Sequence, residues 1–404
     1  MLKGKKILLG ITGSIAAYKA VLLVRLFVKE GAEVQVILTP SAHDFVTPLT
    51  LSTLSKRPVL TEPFDLGTGA WNSHIDLANW ADLILIAPLT ANTLSKMVSG
   101  QADNLLIAVY LAARCPVMFA PAMDVDMYEH PSTQRNIDAL RSYGNLFIQP
   151  DEGELASGLH GKGRIQEPEA ILELVAEYFK KKSPLRNKTV LVTAGPTYEK
   201  IDPVRFIGNF SSGRMGFALA EALAEKGAIV KLIAGPVDLT TTDPSIERTN
   251  ITSAEEMFRA CQEIAPQSDI IIMAAAVADF TPAVVSASKI KKKGEGLSIS
   301  LKPSKDILAW MGSEKKKSQF LVGFALETDH EIPNAQKKLK EKNLDLIVLN
   351  SLKDKGAGFG FSTNKVTLIG KNKDPLQFPL KSKHEVAIDI VRYIENHFKR
   401  TNDK

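Results

Sequence analysis

Cysteine is nearly absent, with only Cys115 and Cys261 in 404 residues. Two cysteines set in ordinary strand-and-helix sequence give neither a disulfide framework nor a CxxC metal site, and both read as small buried hydrophobes. Long apolar runs are missing too. The basic start, 1–6, leads into an apolar run broken at once by Gly10, Thr12, Gly13 and Ser14. With no cleavage signal after it and no span of about 18 apolar residues anywhere, the expectation is a cytoplasmic protein without a membrane partner. A dominant charge sign is also lacking, since 50 Lys and Arg stand against 45 Asp and Glu. That excess is too mild for nucleic-acid binding, although it suits small anionic substrates.

What the chain does have is apolar content, 45% of its residues. A chain of this length fills two cores rather than one, because single cores stop growing at a few hundred residues. Short apolar runs at 7–11, 34–38, 83–87 and 117–120 read as buried strands. Between the first two, 16–30 has helical period, with Leu22, Leu23, Leu26 and Phe27 opposite Lys19, Arg25 and Lys29. Such alternation means a parallel α/β sheet. A helix beginning near Glu169 runs out in Lys180, Lys181, Lys182, Ser183 and Pro184, and a second series then opens with a strand at 189–193. In that series strands are expected at 230–234, 270–274, 320–324 and 344–349, and helices at 215–226, 254–264, 305–312 and 330–342. The fold class is therefore α/β, two Rossmann-like three-layer domains with mainly parallel sheets, spanning 1–182 and 188–404. Both halves open on a strand-to-glycine turn, 7–14 and 190–197, but the sequences then diverge, so they are related architectures and not a tandem repeat.

In the first half the opening strand delivers Gly10-Ile11-Thr12-Gly13-Ser14-Ile15 to a helix start. Free N–H groups and a hydroxyl there suit phosphate. The glycines do not fit GxGxxG, and the second strand ends in Thr39-Pro40-Ser41 where a dinucleotide site needs an acidic residue for the ribose, so NAD is disfavoured. A third strand end, Pro88-Leu89-Thr90-Ala91-Asn92-Thr93, adds hydroxyl and amide groups at the same carboxyl edge. Gly13, Ser14, Ile15, Thr39, Ser41, Pro88, Thr90, Asn92 and Thr93 are thus the candidate cofactor residues, fitting one phosphorylated flavin.

The segments TGSIAAYK, SHIDLANWAD, APLTANT and PAMDVDMY, over roughly 5–164, resemble the homo-oligomeric flavin-containing cysteine decarboxylases. The resemblance implies FMN, a catalytic role at the flavin for His74, and substrate contacts from Met123 and Asp124. Two positions depart from the family pattern. Asp124 stands where the family has asparagine, and an ionised aspartate repels a substrate carboxylate unless it is protonated, re-aimed or paired. Ser157 stands where bacterial relatives carry a cysteine that completes the final reduction. A serine hydroxyl is a far poorer proton donor than a thiol, so His160 is an alternative donor.

In the second half TAGPT, DPVRFIGNFSSGRMG, AAAVADF, KIKK and GFALET, over about 189–350, resemble phosphopantothenate-cysteine ligase. Ser211, Ser212 and Gly213 precede a helix and offer N–H and hydroxyl donors. Ala275 and Ala276 allow close backbone approach, and lysines beside them can neutralise a triphosphate. The resemblance implies CTP and Mg2+, an acyl-cytidylate held by Asn209, charge stabilisation by Lys289 on a mobile loop, and further contacts from Asp279, Lys291, Lys305 and Phe324. The ligase product is the decarboxylase substrate, so the two halves together imply consecutive steps of coenzyme A biosynthesis acting on 4'-phosphopantothenate, cysteine and CTP. A large homo-oligomer of trimers and dimers is implied as well. The alternative is an active ligase with an impaired or altered-specificity flavoprotein half serving mainly in assembly.

Overall fold

A computed structural model describes residues 2–64, 67, 69–291, 297–327, 329–351, 361–371 and 373–402. The chain divides into two compact units, Met1–Phe179 and Lys180–Lys404. In the first, five strands lie in the order Glu33–Leu38, Lys6–Ile11, Leu83–Leu89, Val117–Pro121, Leu146–Phe147. Every pairing in that sheet is parallel. Alternate residues of each strand feed opposite cores. Ile7, Leu9 and Leu85 pack with Leu23, Val24 and Phe27 of the helix Ala17–Lys29 and with Val175 of Pro168–Lys181. Leu8, Ile84 and Ile86 pack on the other side with Leu94, Leu105 and Ile137. Helices therefore cover both faces, which is why the strands are apolar throughout instead of alternating. The strand order reverses between Lys6–Ile11 and Leu83–Leu89, and the carboxyl edge at such a reversal is where doubly wound sheets bind ligands.

The second unit holds an eight-stranded sheet ordered Ile246–Asn250, Ile229–Ala234, Thr189–Ala194, Ile270–Met273, Phe320–Glu327, Leu346–Ser351, Val366–Gly370, Leu376–Gln377. The first six are parallel, and Val366–Gly370 and Leu376–Gln377 add an antiparallel edge. Its reversal falls between Thr189–Ala194 and Ile270–Met273. The C-terminal helix Lys383–Asn402 buries Val386, Ile390 and Ile394 against Leu219 and Leu223 of the helix Arg214–Ala224.

Two kinds of element differ from the sequence reading. The helix expected at 305–312 runs Ile307–Glu314, because the Asp306 carboxylate accepts from the Ala309 N–H at 2.9 Å and so caps it. Besides the small pair Thr363–Asn364 with Lys381–Ser382, the short antiparallel pairs not expected are Asp151–Glu154 with His160–Arg164, Tyr198–Lys200 with Phe206–Gly208, and Phe280–Pro282 with Leu301–Pro303. They are largely exposed and carry little apolar alternation, the signal on which strand prediction rests.

Candidate functional sites

At the first reversal Thr12 is fully buried and joins the two strand ends. Its hydroxyl donates to the Pro88 carbonyl at 2.8 Å and accepts from the Thr90 N–H at 3.0 Å. On the other flank the Thr39 N–H donates to the Ile11 carbonyl at 3.0 Å. Gly13 has to be glycine, since a Cβ there would lie 2.5 Å from Ser41 Oγ and 2.8 Å from the Ser41 carbonyl oxygen. These contacts gather Gly13, Ser14, Ile15, Thr39, Ser41, Pro88, Thr90, Asn92 and Thr93 along one carboxyl edge. Ser14 accepts from the Ala16 N–H, and Thr90 caps the helix Ala91–Ser99. Ile15 (65% exposed), Ser41 and Asn92 stand open to solvent.

The other candidates of this unit stand on separate segments. His74 opens the helix His74–Trp80 behind a Ser73 cap, and its ring meets Trp71 edge-on at 6.3 Å. Asp124 caps its own short helix, Val125–Glu129, accepting from the Val125 N–H at 2.6 Å. One of its carboxylate oxygens is thus engaged by the backbone of the next residue. Ser157 sits exposed at the tip of the hairpin Asp151–Glu154/His160–Arg164. The Met123 N–H donates to the Gly163 carbonyl at 3.1 Å, so the base of this hairpin is fastened to the Met123-Asp124 segment. Lys19, buried in the first helix, donates to the Ile165 carbonyl at 3.0 Å and to Glu167 at 2.9 Å, anchoring the chain that leaves the hairpin.

At the second reversal a cavity of about 590 Å³ opens at the strand ends. Thr193 and Thr197, both fully buried, stitch its floor: their hydroxyls accept from the Ala275 N–H at 3.2 Å and the Ala278 N–H at 3.0 Å. Gly216 brings the helix Arg214–Ala224 onto the strand, where a Cβ would lie 2.5 Å from Ala194 Cβ. Asn209, Ser211, Ser212, Gly213, Ala275, Ala276, Asp279, Lys305 and Phe324 all line the cavity. The Asn209 amide donates to the carbonyls of Ala276 at 3.2 Å and Val277 at 3.0 Å. Lys305 lies 3.6 Å from Glu255 and 4.3 Å over the Phe258 ring. Lys289 and Lys291 are exposed on a loop outside the cavity wall. Lys292 and Lys293 of the lysine run, and Thr328 of GFALET, lie outside the described residues.

The cavity also has residues that sequence reasoning missed. Arg214, Lys338, Lys342 and Lys383 line it. Lys338 donates to the Phe324 carbonyl at 3.0 Å, and burial, with Lys342 nearby, pushes its ammonium below the ordinary lysine range against the opposing pull of Glu327, Asp306 and Asp279. Lys342 pairs with Asp306 at 2.6 Å. On an amphipathic helix such lysines read as a solvated face, so only their tertiary surroundings mark them. Ser304 Oγ lies on the cavity wall and, among the described residues, is the buried side-chain oxygen or nitrogen left without a hydrogen-bond partner. A buried hydroxyl in that state costs about 1–3 kcal/mol and calls for a ligand or water.

Residues 1–180 match the flavoprotein family, and residues 185–398 match the DNA/pantothenate metabolism flavoprotein C-terminal domain family. The chain is 58% identical over 353 residues to a cysteine/cysteine sulfinic acid decarboxylase from an unknown prokaryotic organism, covering 86% of this chain and 98% of that one. It is 48% identical over 406 residues to the coenzyme A biosynthesis bifunctional protein CoaBC of Bacillus subtilis (strain 168), covering 100% of both. Identity to the CoaBC protein of Haemophilus influenzae is 45% over 400 residues, 99% of each chain. With both domains matched in order and full-length relatives at this identity, the chain belongs to the family of coenzyme A biosynthesis bifunctional proteins.

Proposed function

We propose that the C-terminal unit joins cysteine to 4'-phosphopantothenate at the expense of CTP, and that the N-terminal unit decarboxylates the product to 4'-phosphopantetheine with FMN. Family membership makes the chain a bifunctional enzyme, a flavoprotein decarboxylase followed by a ligase. The single observation that carries the ligase chemistry is the cavity at the second strand reversal, walled by Asn209, the 211–216 helix start, the 274–279 loop and a set of cations. In this reading the phosphopantothenate carboxylate attacks the α-phosphorus of CTP and pyrophosphate leaves. Asn209 holds the resulting acyl-cytidylate, the amine of cysteine attacks its acyl carbon, and CMP departs. Lys289, Lys291, Lys338 and Lys342 neutralise the negative charge that gathers on the phosphates. Among the described residues no three His, Cys, Asp or Glu side chains converge on one point, so Mg2+ would arrive on the triphosphate, as it commonly does.

For the flavoprotein half, the hydroxyl and amide groups on three adjacent strand ends are a donor set that fits a phosphorylated flavin. When bound, FMN would supply the hydride acceptance and return that convert the substrate's thiol carbon into a thiocarbonyl, whose sulfur is the electron sink for loss of CO2. Ser14 and Thr90 would hold its phosphate end, Asn92 and Thr93 its polar edge, and His74 would handle the thiol proton. Asp124 and the Ser157 hairpin would close over the substrate. The family resemblance adds a large homo-oligomer of trimers and dimers, with the flavin site completed between copies of the chain. Incubation of the FMN-loaded protein with phosphopantothenate, cysteine, CTP and Mg2+, followed by mass spectrometry, tests both halves. Phosphopantetheine is the expected product, and absence of any cysteine adduct overturns the ligase assignment.

A second reading is favoured by Asp124 and Ser157 together with the relative named a cysteine/cysteine sulfinic acid decarboxylase. In it the flavoprotein half acts on a small free amino acid bearing sulfur. Competition between free cysteine and phosphopantothenoylcysteine for decarboxylation, followed as CO2 release, separates the two.

A further inference from the structure

We propose that Asp202 is a positioning residue that sets where Lys289 stands, acting through the backbone of Ile290 and not on any ligand. The proposal rests on the role given above to Lys289. The Asp202 side chain is fully buried, although Pro203, Val204 and Arg205 beside it are exposed. Its two oxygens do different work. Oδ1 accepts from the N–H groups of Val204 at 2.8 Å and Arg205 at 2.9 Å, which closes the turn between Tyr198–Lys200 and Phe206–Gly208. Oδ2 reaches 88 positions along the chain to accept from the Ile290 N–H at 3.1 Å.

The Arg205 guanidinium contacts the same carboxylate at 3.3 Å and donates to the Ile290 carbonyl at 3.2 Å. Both backbone polar groups of Ile290 are therefore held by one turn. A third tie, from the Ser286 N–H to the Ile201 carbonyl at 3.0 Å, fastens the other end of the same loop. Lys289 lies between the two fastened points. The far strand of the hairpin, Phe206–Gly208, leads directly into Asn209, whose amide is bound to the 274–279 loop. One hairpin thus sets the spacing between the residue that holds the activated acyl group and the cation that answers its charge. Burial alone would raise the Asp202 carboxyl, but the Val204, Ile290 and Arg205 N–H groups and the Arg205 charge hold it below the usual carboxylate range, so the latch stays an acceptor.

A purely structural turn needs Oδ1 alone, and this separates the two roles by experiment. Asp202→Asn can keep its oxygen on the turn while placing an amide N–H against the Ile290 N–H, which breaks the latch only. Ile290→Pro removes the donor instead and leaves the turn intact. In the full-length protein we expect each variant to lower kcat for ligation about tenfold with little change in KM for CTP. Decarboxylation of supplied phosphopantothenoylcysteine should be unchanged. In a Lys289→Gln background, itself slow, neither variant should cost anything more. Undiminished ligation in both variants, or losses that multiply with that of Lys289→Gln, overturns the proposal. Full ligation by Lys289→Gln alone overturns the Lys289 reading, and the latch with it.

Discussion

In the N-terminal unit one buried threonine, Thr12, ties the strand ends at the reversal; in the C-terminal unit two, Thr193 and Thr197, do so. Both units bring polar groups to the carboxyl edge of a parallel sheet. They differ in what stands around that edge. The C-terminal unit adds hairpins, a capped helix at Ile307–Glu314 and the start of the helix Lys383–Asn402, and a single chain encloses about 590 Å³. In the N-terminal unit the edge mixes buried Thr39, Pro88 and Thr93 with exposed Ile15, Ser41 and Asn92, and His74, Asp124 and Ser157 belong to other segments. A doubly wound sheet supplies a floor and an electrostatic edge wherever its strand order reverses, whereas the walls come from whatever is added locally.

The comparison is broken most forcefully at His74. If the flavoprotein half works as proposed, His74→Asn lowers decarboxylation by about 10²–10⁴-fold while ligation continues, so phosphopantothenoylcysteine accumulates in the mass spectrum. Retained decarboxylation would remove His74 from the chemistry. The two threonine stitches come next. Thr12→Val strands the Thr90 N–H and takes one of two donors from the Pro88 carbonyl, which keeps the Thr12 N–H at 3.3 Å, and should cost about 2–3 kcal/mol; Thr193→Val strands the Ala275 N–H and should cost about 1–2 kcal/mol. Thermal unfolding of each variant checks the order, and equal losses would say that the two reversals are held alike.

Ser304→Ala sharpens the contrast from the cavity side. Removing an unpartnered hydroxyl should leave the melting temperature unchanged or slightly raised, yet raise a ligase KM about five- to tenfold, since a neutral hydrogen bond is worth about 0.5–1.5 kcal/mol. An unchanged KM for all three substrates would mean that water, not ligand, satisfies it. The smallest effect belongs to Glu167. Its hydrogen bond to Lys19, with Arg164 close by, holds its carboxyl below the usual range. A depressed carboxyl contributes stability above its unfolded pKa and loses it as pH falls through the lower folded value. Glu167 is half-exposed, so Glu167→Gln should cost under about 1 kcal/mol at neutral pH. The gap in melting temperature from the parent should close as pH falls below the ordinary glutamate range.

Much of the fold was legible because strands buried on both faces are apolar without interruption. The runs at 7–11, 34–38, 83–87 and 117–120 fall inside the observed strands Lys6–Ile11, Glu33–Leu38, Leu83–Leu89 and Val117–Pro121. The glycine-and-hydroxyl turns were legible for a similar reason, since close backbone approach at Gly13 and Gly216 tolerates no other residue. The exposed hairpins were not, because they bury too little apolar surface to leave a period. Lys338 and Lys342 were hidden in the same way: a lysine on an amphipathic helix carries no mark of what it faces. Asp202 lies within the DPVRF motif, but nothing in that motif says that one carboxylate oxygen serves the local turn and the other a loop 88 residues away.

The sequence by itself determined the two α/β units, the positions of the glycine-and-hydroxyl turns and the family, because strand burial, glycine placement and motif order are local properties of the chain. Only the tertiary structure decided that Asp202 joins its own turn to Ile290, that Ser304 is left without a partner and that four unlooked-for cations line the cavity of the C-terminal unit. Those outcomes depend on which distant groups arrive within about 3 Å of one another, a distance that no residue specifies alone.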